Sequence, residues 1–394
     1  MPILKYRQYD FTFDFFQKAA RYPFYETVRN KTNDTTLPLA GEIIPVENED
    51  YIHVINDIPP YFELSLSTQK DPLKSYEINK YTGFLADLKN YRDIDSYVRD
   101  CFKSKNRSNM MREKRRLETC FEIEYKMYYG EISEEEFDFL FDTMEKFIGK
   151  RFSQRGDTHS GMEEWNVIKK NAYPLILSKR ASLFVIYNEN DPIDICLNYH
   201  YQNIMNHMIR SYDIDYSKYR LGYIDLLKQI EWCFLNNFNI FDLSRGEMDY
   251  KKQWCNTTYH FKSHIIYKDH KLLFKVLAYT LTKFFELKEF LKRKNVPKMY
   301  SRIINTIIKK QRPVPENCQI NIETKELLKI PEPTSLRKLN INNPQYSFLR
   351  KPVYDFQYLN SESYKDIGIY MVNNTNDTYM VIGKKKSQQI RILS

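Results

Sequence analysis

A cluster of polar residues follows a short apolar run in the middle of the chain. The run FNIFDL, residues 238–243, has the composition of a buried strand. Open α/β sheets bind their ligands at the carboxyl ends of strands. The residues at or just past that end are Asp242, Arg245, Gly246, Tyr250 and Lys251. Four of them have side chains that carry charge or move a proton, and one is a glycine. Together they could bind the phosphate of a ligand and catalyse a reaction at the other end of that ligand.

A second candidate site precedes the same strand. The residues Arg220, Leu221, Gly222 and Tyr223 open a helical pattern that leads into the strand. The first turn of a helix presents unpaired N–H groups and a partial positive charge, and glycine lets a ligand approach the backbone closely. We predict a pyrophosphate-binding turn here, although the same residues also fit an ordinary loop-to-helix connection.

Each of these features has a purely structural alternative. Asp242 could cap a helix and pair with Arg245, while Tyr250 and Trp254, four residues apart on one helix face, could fill the core. His200 ends a predicted strand near the sheet opening and could take a proton from an attacking amine, but a lone histidine on a strand is more often structural. The basic run 103–116 is either a solvated helix face or a contact for the phosphates of a cofactor or RNA.

The elements that must position these residues form a mixed α/β pattern. We predict a helix over 133–152 that begins with a Ser133/Glu136 capping box. Strands follow at 172–178, 181–187, 193–201 and 203–213, then a helix from 221, the strand 238–243, a short helix at 247–254, a strand at 258–268 and a closing helix at 270–294. The β-helix-β connections imply a sheet that switches from antiparallel to parallel pairing.

The flanking segments differ from this core. Residues 1–119 contain strand-like runs at 51–55, 61–66 and 83–88 and then a long basic helical pattern over 93–120. Residues 1–293 hold 43 basic and 43 acidic side chains, whereas 294–394 hold 17 basic and 8 acidic ones and so carry the whole net charge of +9. Proline-containing connectors at 311–318 and 330–338 and a hairpin over 368–385 mark this last segment as a basic, partly β appendage.

Composition restricts the class of protein. Hydrophobic residues make up 42% of the 394 residues, which is typical of a globular chain with a sizeable core. The six cysteines are scattered without metal-ligand spacing, so they indicate reduced thiols, no metal site and a cytoplasmic location. No apolar run approaches the roughly 18 residues that a membrane helix needs, so no membrane span is expected.

The segment 197–254 resembles a known family. A loop ending in glycine, a helix, and a strand of the form Phe-Asp-Leu-x-Arg-Gly-x-x-x-Tyr-Lys-x-x-Trp are similar to the GNAT-type acetyltransferases of the CelD group, relatives of the Fem aminoacyltransferases. The residues at the pattern's positions are Asp242, Arg245, Gly246, Tyr250, Lys251 and Trp254. The resemblance spans about 80–270. It departs where the family has Ser-Pro-Gly and this chain has Arg220, Leu221 and Gly222.

The resemblance implies an α/β (mixed α+β) fold with a GNAT-like core and a partly splayed sheet. The implied organisation is a degenerate GNAT-like half at 1–119, a GNAT-like acyltransferase domain at 120–293 and the appendage at 294–394, the first two in a tandem, Fem-like arrangement. The implied activity is an acyl-CoA-dependent N-acyltransferase, for instance an N-acetyltransferase using acetyl-CoA, that acts on an amine or hydroxyl of a small-molecule or saccharide acceptor.

The same resemblance suggests roles for the residues. Asp242 or His200 would be the base and Tyr250 the acid toward the leaving thiolate. The turn Arg220–Tyr223 would hold the pyrophosphate, and Arg245 and Lys251 would bind phosphate or an acceptor carboxylate. Two alternatives stay open: a Fem-like transferase that uses aminoacyl-tRNA and binds tRNA through 103–116, and a GNAT-shaped binding module without activity.

Overall fold

A large mixed sheet dominates the computed structural model, which describes residues 6–18, 20–38, 41–46, 51–67, 72–155, 164–294, 321–327, 335–373, 375 and 377–393. Its nine strands have the spatial order β1-β6-β14-β8-β13-β12-β11-β10-β9. The strands of this sheet are β1 (Tyr6–Asp10), β6 (Ile52–Ile58), β8 (Leu73–Asp87), β9 (Ile123–Tyr128), β10 (Ala181–Asn188), β11 (Asp191–Tyr201), β12 (Ile204–Tyr212), β13 (Ile240–Arg245) and β14 (Thr257–Lys268).

Helices cover both faces of this sheet. They are α1 (Ile94–Cys101), α2 (Ser104–Cys120), α3 (Glu134–Arg155), α4 (Trp165–Leu177), α5 (Leu221–Leu235), α6 (Asp249–Trp254) and α7 (Leu272–Arg293). Ser133 caps the start of α3, because the Glu136 amide donates to Ser133 Oγ over 3.2 Å. This is one half of the predicted capping box, and the Glu136 carboxylate accepts hydrogen bonds from Tyr128 and Tyr187. No helix among the described residues is long and apolar enough to cross a membrane.

The mixed pairing of the sheet is confirmed. Strands β9 to β12 form an antiparallel series, and β12 then pairs in parallel with β13 through the α5 crossover. The parallel β12–β13 pairing is the sequence-predicted switch, and it lies beside the polar cluster that follows β13.

Two secondary-structure predictions were wrong. The run 172–178 lies in α4 rather than in a strand, and Pro174 is inside that helix. Short apolar runs suit a buried helix as well as a strand, and here Trp165, Ile168, Ala172 and Ile176 all lie buried in the helix. The helical pattern predicted over 93–120 is two helices, because Phe102 and Lys103 adopt extended backbone.

The N-terminal half interleaves with the central sheet. β8 lies between β13 and β14 and pairs antiparallel with both, and β1 and β6 extend the sheet beyond β14. Smaller sheets pack beside it: β2 (Ala20–Arg21) with β5 (Glu42–Ile43), and β3 (Tyr25–Asn30) with β4 (Thr35–Pro38) and β7 (Phe62–Leu66). The domain boundary predicted at 119/120 therefore divides a continuous sheet, and it stays a prediction.

The C-terminal segment forms a separate antiparallel sheet that packs on the main body. Its order is β15 (Asn321–Leu327), β19 (Ser387–Leu393), β18 (Thr378–Ile382), β17 (Gly368–Val372) and β16 (Leu336–Lys338). The predicted hairpin is present as β17 and β18. The helix α8 (Arg350–Asn360) packs into a core shared with the main body. The connector at 311–318, with Cys318, and most of the connector at 330–338 lie outside the described residues.

Candidate functional site

The parallel strands β12 and β13 separate after a short paired stretch. Their register comprises Ile204 with Ile240, Met205 with Phe241 and Asn206 with Asp242. Beyond these pairs β12 runs on to Tyr212 against β11, while Arg245 of β13 pairs with Gly83 of β8. The sheet therefore has a wedge-shaped opening between the two strands, as the predicted partly splayed sheet requires.

A cavity of about 130 Å³ lies at the amino end of α5. Arg220 and Tyr223 line it from α5, Gln253 from α6, and Asn106 and Asn109 from α2. The exposed Arg220 guanidinium lies 4.9 Å from the centre of the Tyr223 ring, and Tyr223 Oη donates to Gln253 Oε1 over 3.0 Å. A helix N-terminus, an exposed cation and amide side chains are partners for an anionic group, and the buried carboxyl group of Glu113 also lines this cavity.

Gly222 has a packing role as well. A Cβ atom at this position would lie 3.1 Å from Nη1 of Arg210 on β12. Arg210 cannot move away easily, because it forms ion pairs with the buried Asp194 and with Asp225 of α5. Glycine thus allows the first turn of α5 to lie directly over a partly buried arginine in the wedge.

A second, larger cavity of about 330 Å³ lies at the wedge itself. Side chains from both faces of the sheet line it, because His207 and Leu243 face α5 whereas Met208 and Phe261 lie on the opposite side. Further lining residues are Asp10, Thr12, Phe13, Gln17, Asp57, Glu164, Ser244, Arg245 and Lys251. The opening between β12 and β13 can therefore be reached from both faces.

His207 is the titratable group of the wedge that meets this cavity. Its Nε2 lies 3.3 Å from Asp225 Oδ2, and its side chain keeps 10% exposure. Asp225 is fully buried and accepts a further hydrogen bond from Gln229 Nε2 over 2.8 Å. A histidine held at one nitrogen by a buried carboxylate is the arrangement of an oriented general base.

His207 and Asp225 also form, with Cys196, the group among the described residues whose ligand atoms lie close enough to hold a metal ion. The three ligand atoms all lie within 4.8 Å of one another. Asp225 Oδ2 already faces Arg210 Nε at 3.5 Å, so a cation occupies part of the space that a metal ion would need.

Arg245 and Lys251 lie at the larger cavity, as binding residues should, but each is held by protein groups. Arg245 Nη1 donates to Asp57 Oδ2 over 2.8 Å and to Tyr81 Oη over 3.1 Å. Lys251 Nζ donates to the carbonyl oxygens of Leu243 and Arg245, and burial lowers the pKa of this amine. Lys251 therefore fixes the end of β13, while Arg245 keeps 61% of its side chain exposed.

Acidic side chains accompany Arg245 at the floor of the cavity. Asp57 has a left-handed backbone, φ 61°, and its carboxylate accepts hydrogen bonds from Tyr81 and Arg245. Burial and the neighbouring charge of Asp57 raise the pKa of Asp10 to about 6. With Glu164, the cavity thus combines three carboxyl groups with one exposed guanidinium.

The two predicted bases do not reach either cavity. Asp242 is fully buried and accepts hydrogen bonds from Tyr61 Oη over 2.7 Å, from Tyr259 Oη and from the Ser244 amide. His200 is buried among aromatic rings with its Nε2 2.8 Å from Ser182 Oγ, and burial lowers its pKa to about 3. The contacts of His200 match its structural alternative. Asp242 instead bonds to two tyrosines and a backbone amide, and the pairing with Arg245 that its structural alternative proposed is absent, because Arg245 bonds to Asp57.

Four of the predicted site residues line a cavity, and the others lie beside the cavities or in the core. Tyr250 is half-buried beside the wedge, where burial raises its pKa and Arg210 acts to lower it. Leu221 is buried in the core under α5, and Trp254 is also buried, as the structural alternative proposed. Arg220 and Tyr223 line the smaller cavity and Arg245 and Lys251 the larger one, and α6 contributes to both.

Sequence reasoning missed the polar network in the wedge. Asp194, Arg210 and Asp225 lie on three successive elements, β11, β12 and α5, and each interrupts an apolar stretch directly after an isoleucine. A buried charge needs a partner, so three such interruptions in adjacent elements are a signal that could have indicated the network.

One family model matches part of this chain, and several solved structures are distantly similar to it. The family model described as an acetyltransferase (GNAT) domain matches residues 104–252, less than half of the chain. No curated protein matches the chain. Among solved structures, FemX has a TM-score of 0.38 and 11% identity over 58% of this chain and 74% of its own. The L-PGS of Bacillus licheniformis has a TM-score of 0.36 and 11% identity over 59% of this chain and 72% of its own.

A tandem GNAT protein from the clavulanic acid biosynthesis pathway has a TM-score of 0.30 and 6% identity over 55% of this chain and 65% of its own. By the family comparison, residues 104–252 are similar to a GNAT acetyltransferase domain, and the mixed α/β sheet that contains this segment extends well beyond it.

Proposed function

We propose that this protein is an acyl-CoA-dependent acyltransferase that acylates an amine or hydroxyl group, with acetyl-CoA as the simplest donor. The observation that carries the proposal is the β12–β13 wedge within the GNAT match, with the amino end of α5 above it and a cavity open to both faces of the sheet. The CelD group is the relationship that the sequence motif favours.

The smaller cavity would receive the anionic part of the donor. The amides at the start of α5 and the Arg220 side chain offer positive partners to a pyrophosphate. The adjacent helix α2 contains six basic and two acidic side chains, so a further phosphate can find a partner beside this cavity. These residues therefore fit a CoA thioester, which supplies an activated acyl group to the reaction.

The wedge would then direct the acyl group toward the acceptor. An acceptor that enters the larger cavity from the opposite face would meet the thioester near His207. We propose that His207, oriented by Asp225, removes the proton from the attacking amine or hydroxyl, and that Tyr250 is placed to protonate the leaving thiolate. His207 thus replaces His200 and Asp242 as the proposed general base.

The acceptor would be a small molecule or a saccharide that carries a positive or hydrogen-bonding group. Asp10 and Asp57 line the larger cavity and can bind an ammonium group, while Arg245 can bind an acceptor carboxylate.

Free thiols at the five described cysteines agree with a cytoplasmic location for the reaction.

Aminoacyl-tRNA is the second candidate donor, and the basic face of α2 favours it. Exposed Lys105, Arg112 and Arg115 lie on the helix that lines the smaller cavity. They could contact an RNA backbone as well as a CoA phosphate.

Ligand binding separates these possibilities. Thermal unfolding is measured with acetyl-CoA, a longer acyl-CoA, free CoA and bulk tRNA, since a ligand that binds only the folded state raises the unfolding temperature. We expect acyl-CoA and CoA to stabilise the protein and tRNA to have no effect. Stabilisation by tRNA alone, lost at high salt, would replace the donor by aminoacyl-tRNA. No response to any of them would leave a binding module without this activity.

A further inference from the structure

The turn that leads into α5 is held in place by the C-terminal segment. This turn is a short 3-10 helix, Ile214–Tyr219, and it ends at Arg220, whose backbone is left-handed with φ 54°. A non-glycine residue in this conformation is less stable than in an ordinary helical one, so the surrounding contacts must maintain it. Those contacts come largely from α8.

An ion pair fixes the start of the turn. Arg350, the first residue of α8, donates from Nη2 to Asp213 Oδ2 over 2.8 Å, and its Nε lies 3.6 Å from Asp215 Oδ2. The other carboxylate oxygen of Asp213 accepts from the Asp215 amide over 3.2 Å and so caps the turn. Because Asp213 is only 3% exposed, water competes little for this interaction.

Aromatic contacts fix the rest of the turn. Tyr219 Oη donates to the Tyr354 carbonyl over 3.1 Å, and the Tyr216 and Tyr354 ring centres are 4.6 Å apart. All three tyrosines are buried. Lys218 adds an ion pair with Asp355 of α8 over 3.2 Å.

The same helix also holds the opposite wall of the smaller cavity. Gln357 Nε2 donates to the carbonyl of Cys120, the last residue of α2, over 3.3 Å, and the Arg116 guanidinium lies 4.5 Å from the centre of the Tyr358 ring. α2 lines the cavity through Asn106, Asn109 and Met110. α8 therefore joins the two elements between which the cavity lies.

We propose that the C-terminal segment is a positioning element for the donor site, and that Arg350 acts through Asp213 to hold the turn 213–220 in its binding conformation. This inference rests on the proposed function for the identity of the ligand. The family match ends at residue 252, so α8 supports the matched segment from outside it.

The test uses the full chain and two variants of the ion pair. Arg350→Ala leaves Asp213 without its partner, whereas Asp213→Asn with Arg350→Met removes both charges and keeps an oxygen that can accept from the Asp215 amide. Arg391→Ala is the matched control, because Arg391 pairs with Asp377 in the C-terminal sheet and does not touch the turn.

Three measurements are made on each variant: hydrogen exchange of the amides in 213–223, the dissociation constant for CoA, and donor KM against kcat. We expect both ion-pair variants to exchange faster in 213–223 and to bind CoA about three- to tenfold more weakly, with donor KM raised and kcat preserved. The Arg391→Ala variant is expected to match the wild type in all three.

Ion-pair variants with wild-type exchange and wild-type CoA affinity would overturn the positioning role. A fall in kcat with unchanged donor KM would overturn it as well. If the wild type binds no CoA, the proposed donor is wrong, and the exchange data alone then decide whether Arg350 holds the turn.

Discussion

Two histidines on neighbouring strands show how closely function depends on the environment of a single residue. His200 and His207 both lie near the sheet opening, but His200 is surrounded by aromatic rings and bound to Ser182, whereas His207 faces a cavity and a buried carboxylate. Burial favours the neutral form of His200 at all physiological pH values, so it cannot act as a cationic proton carrier.

Substitution of each histidine distinguishes a catalytic role from a structural one. His207→Gln is expected to lower kcat about 100-fold or more with CoA affinity retained, because it removes the proposed general base but not the proposed donor site. His200→Gln is expected to lower the unfolding temperature and to leave kcat of the folded fraction near the wild-type value. Steady-state kinetics with thermal unfolding of both variants check this, and the opposite result would restore His200 as the base.

The pKa of Asp10 predicts a pH dependence of stability. Its pKa is raised from 3.8 to about 6 in the folded protein, so the folded state binds more protons than the unfolded state between these values. Stability is then lost as the pH rises through this window. Asp10→Asn keeps the oxygen that accepts the Phe13 amide and cannot ionise, so it is expected to be more stable than the wild type at pH 7 but not at pH 4.

Unfolding temperatures measured from pH 4 to 7 test this dependence, with Glu135→Gln as an exposed control on α3. A difference between Asp10→Asn and the wild type that stays constant over the range would show that Asp10 does not titrate there.

At the level of elements, the sequence predicted the site's scaffold better than its contacts. β12, α5, β13 and α6 follow from local patterns of apolar residues, and all four are present. The strand predicted at 172–178 was wrong because the apolar composition of these residues suits a helix and a strand equally. The Arg245–Asp57 pair and the Tyr61 and Tyr259 bonds to Asp242 join distant parts of the chain, so local pattern could not indicate them.

The end of β13 depends on one buried lysine. Lys251→Met keeps a side chain of similar length but leaves the carbonyls of Leu243 and Arg245 without this donor, which is expected to cost about 1–3 kcal/mol of stability. The loss of activity is expected to exceed what the loss of stability alone would cause. The reason is that loss of these hydrogen bonds displaces the end of β13, which carries Ser244 and Arg245 of the cavity wall. Lys252→Met is the matched control, since Lys252 is exposed on the same helix. Equal behaviour of the two variants in unfolding and activity assays would refute this role.

At the scale of the whole molecule, the two halves of the chain share one sheet. β8 forms hydrogen bonds to β13 on one side and to β14 on the other, and its pairing covers the edge of β13 that lies opposite the β12–β13 wedge. A GNAT-like domain without residues 1–119 would expose that edge, and unpaired strand edges promote aggregation.

Expression of residues 120–293 alone tests the predicted domain boundary. We expect this fragment to aggregate or to lack fixed tertiary structure, because it retains β13 and β14 but not the strand between them. Gel filtration and an amide NMR spectrum, with the full chain as control, provide the measurement. A monomeric fragment with well-dispersed signals would establish an independent domain at these bounds.

The central place of β8 also affects how the protein is made. This fifteen-residue strand leaves the ribosome long before either of its neighbours, so during translation most of its backbone groups have no sheet partner until β14, which ends at residue 268, has emerged. Chains with a transiently exposed strand are prone to misassembly in this interval. The nascent protein is therefore most in need of chaperone protection between the synthesis of Asp87 and that of Lys268.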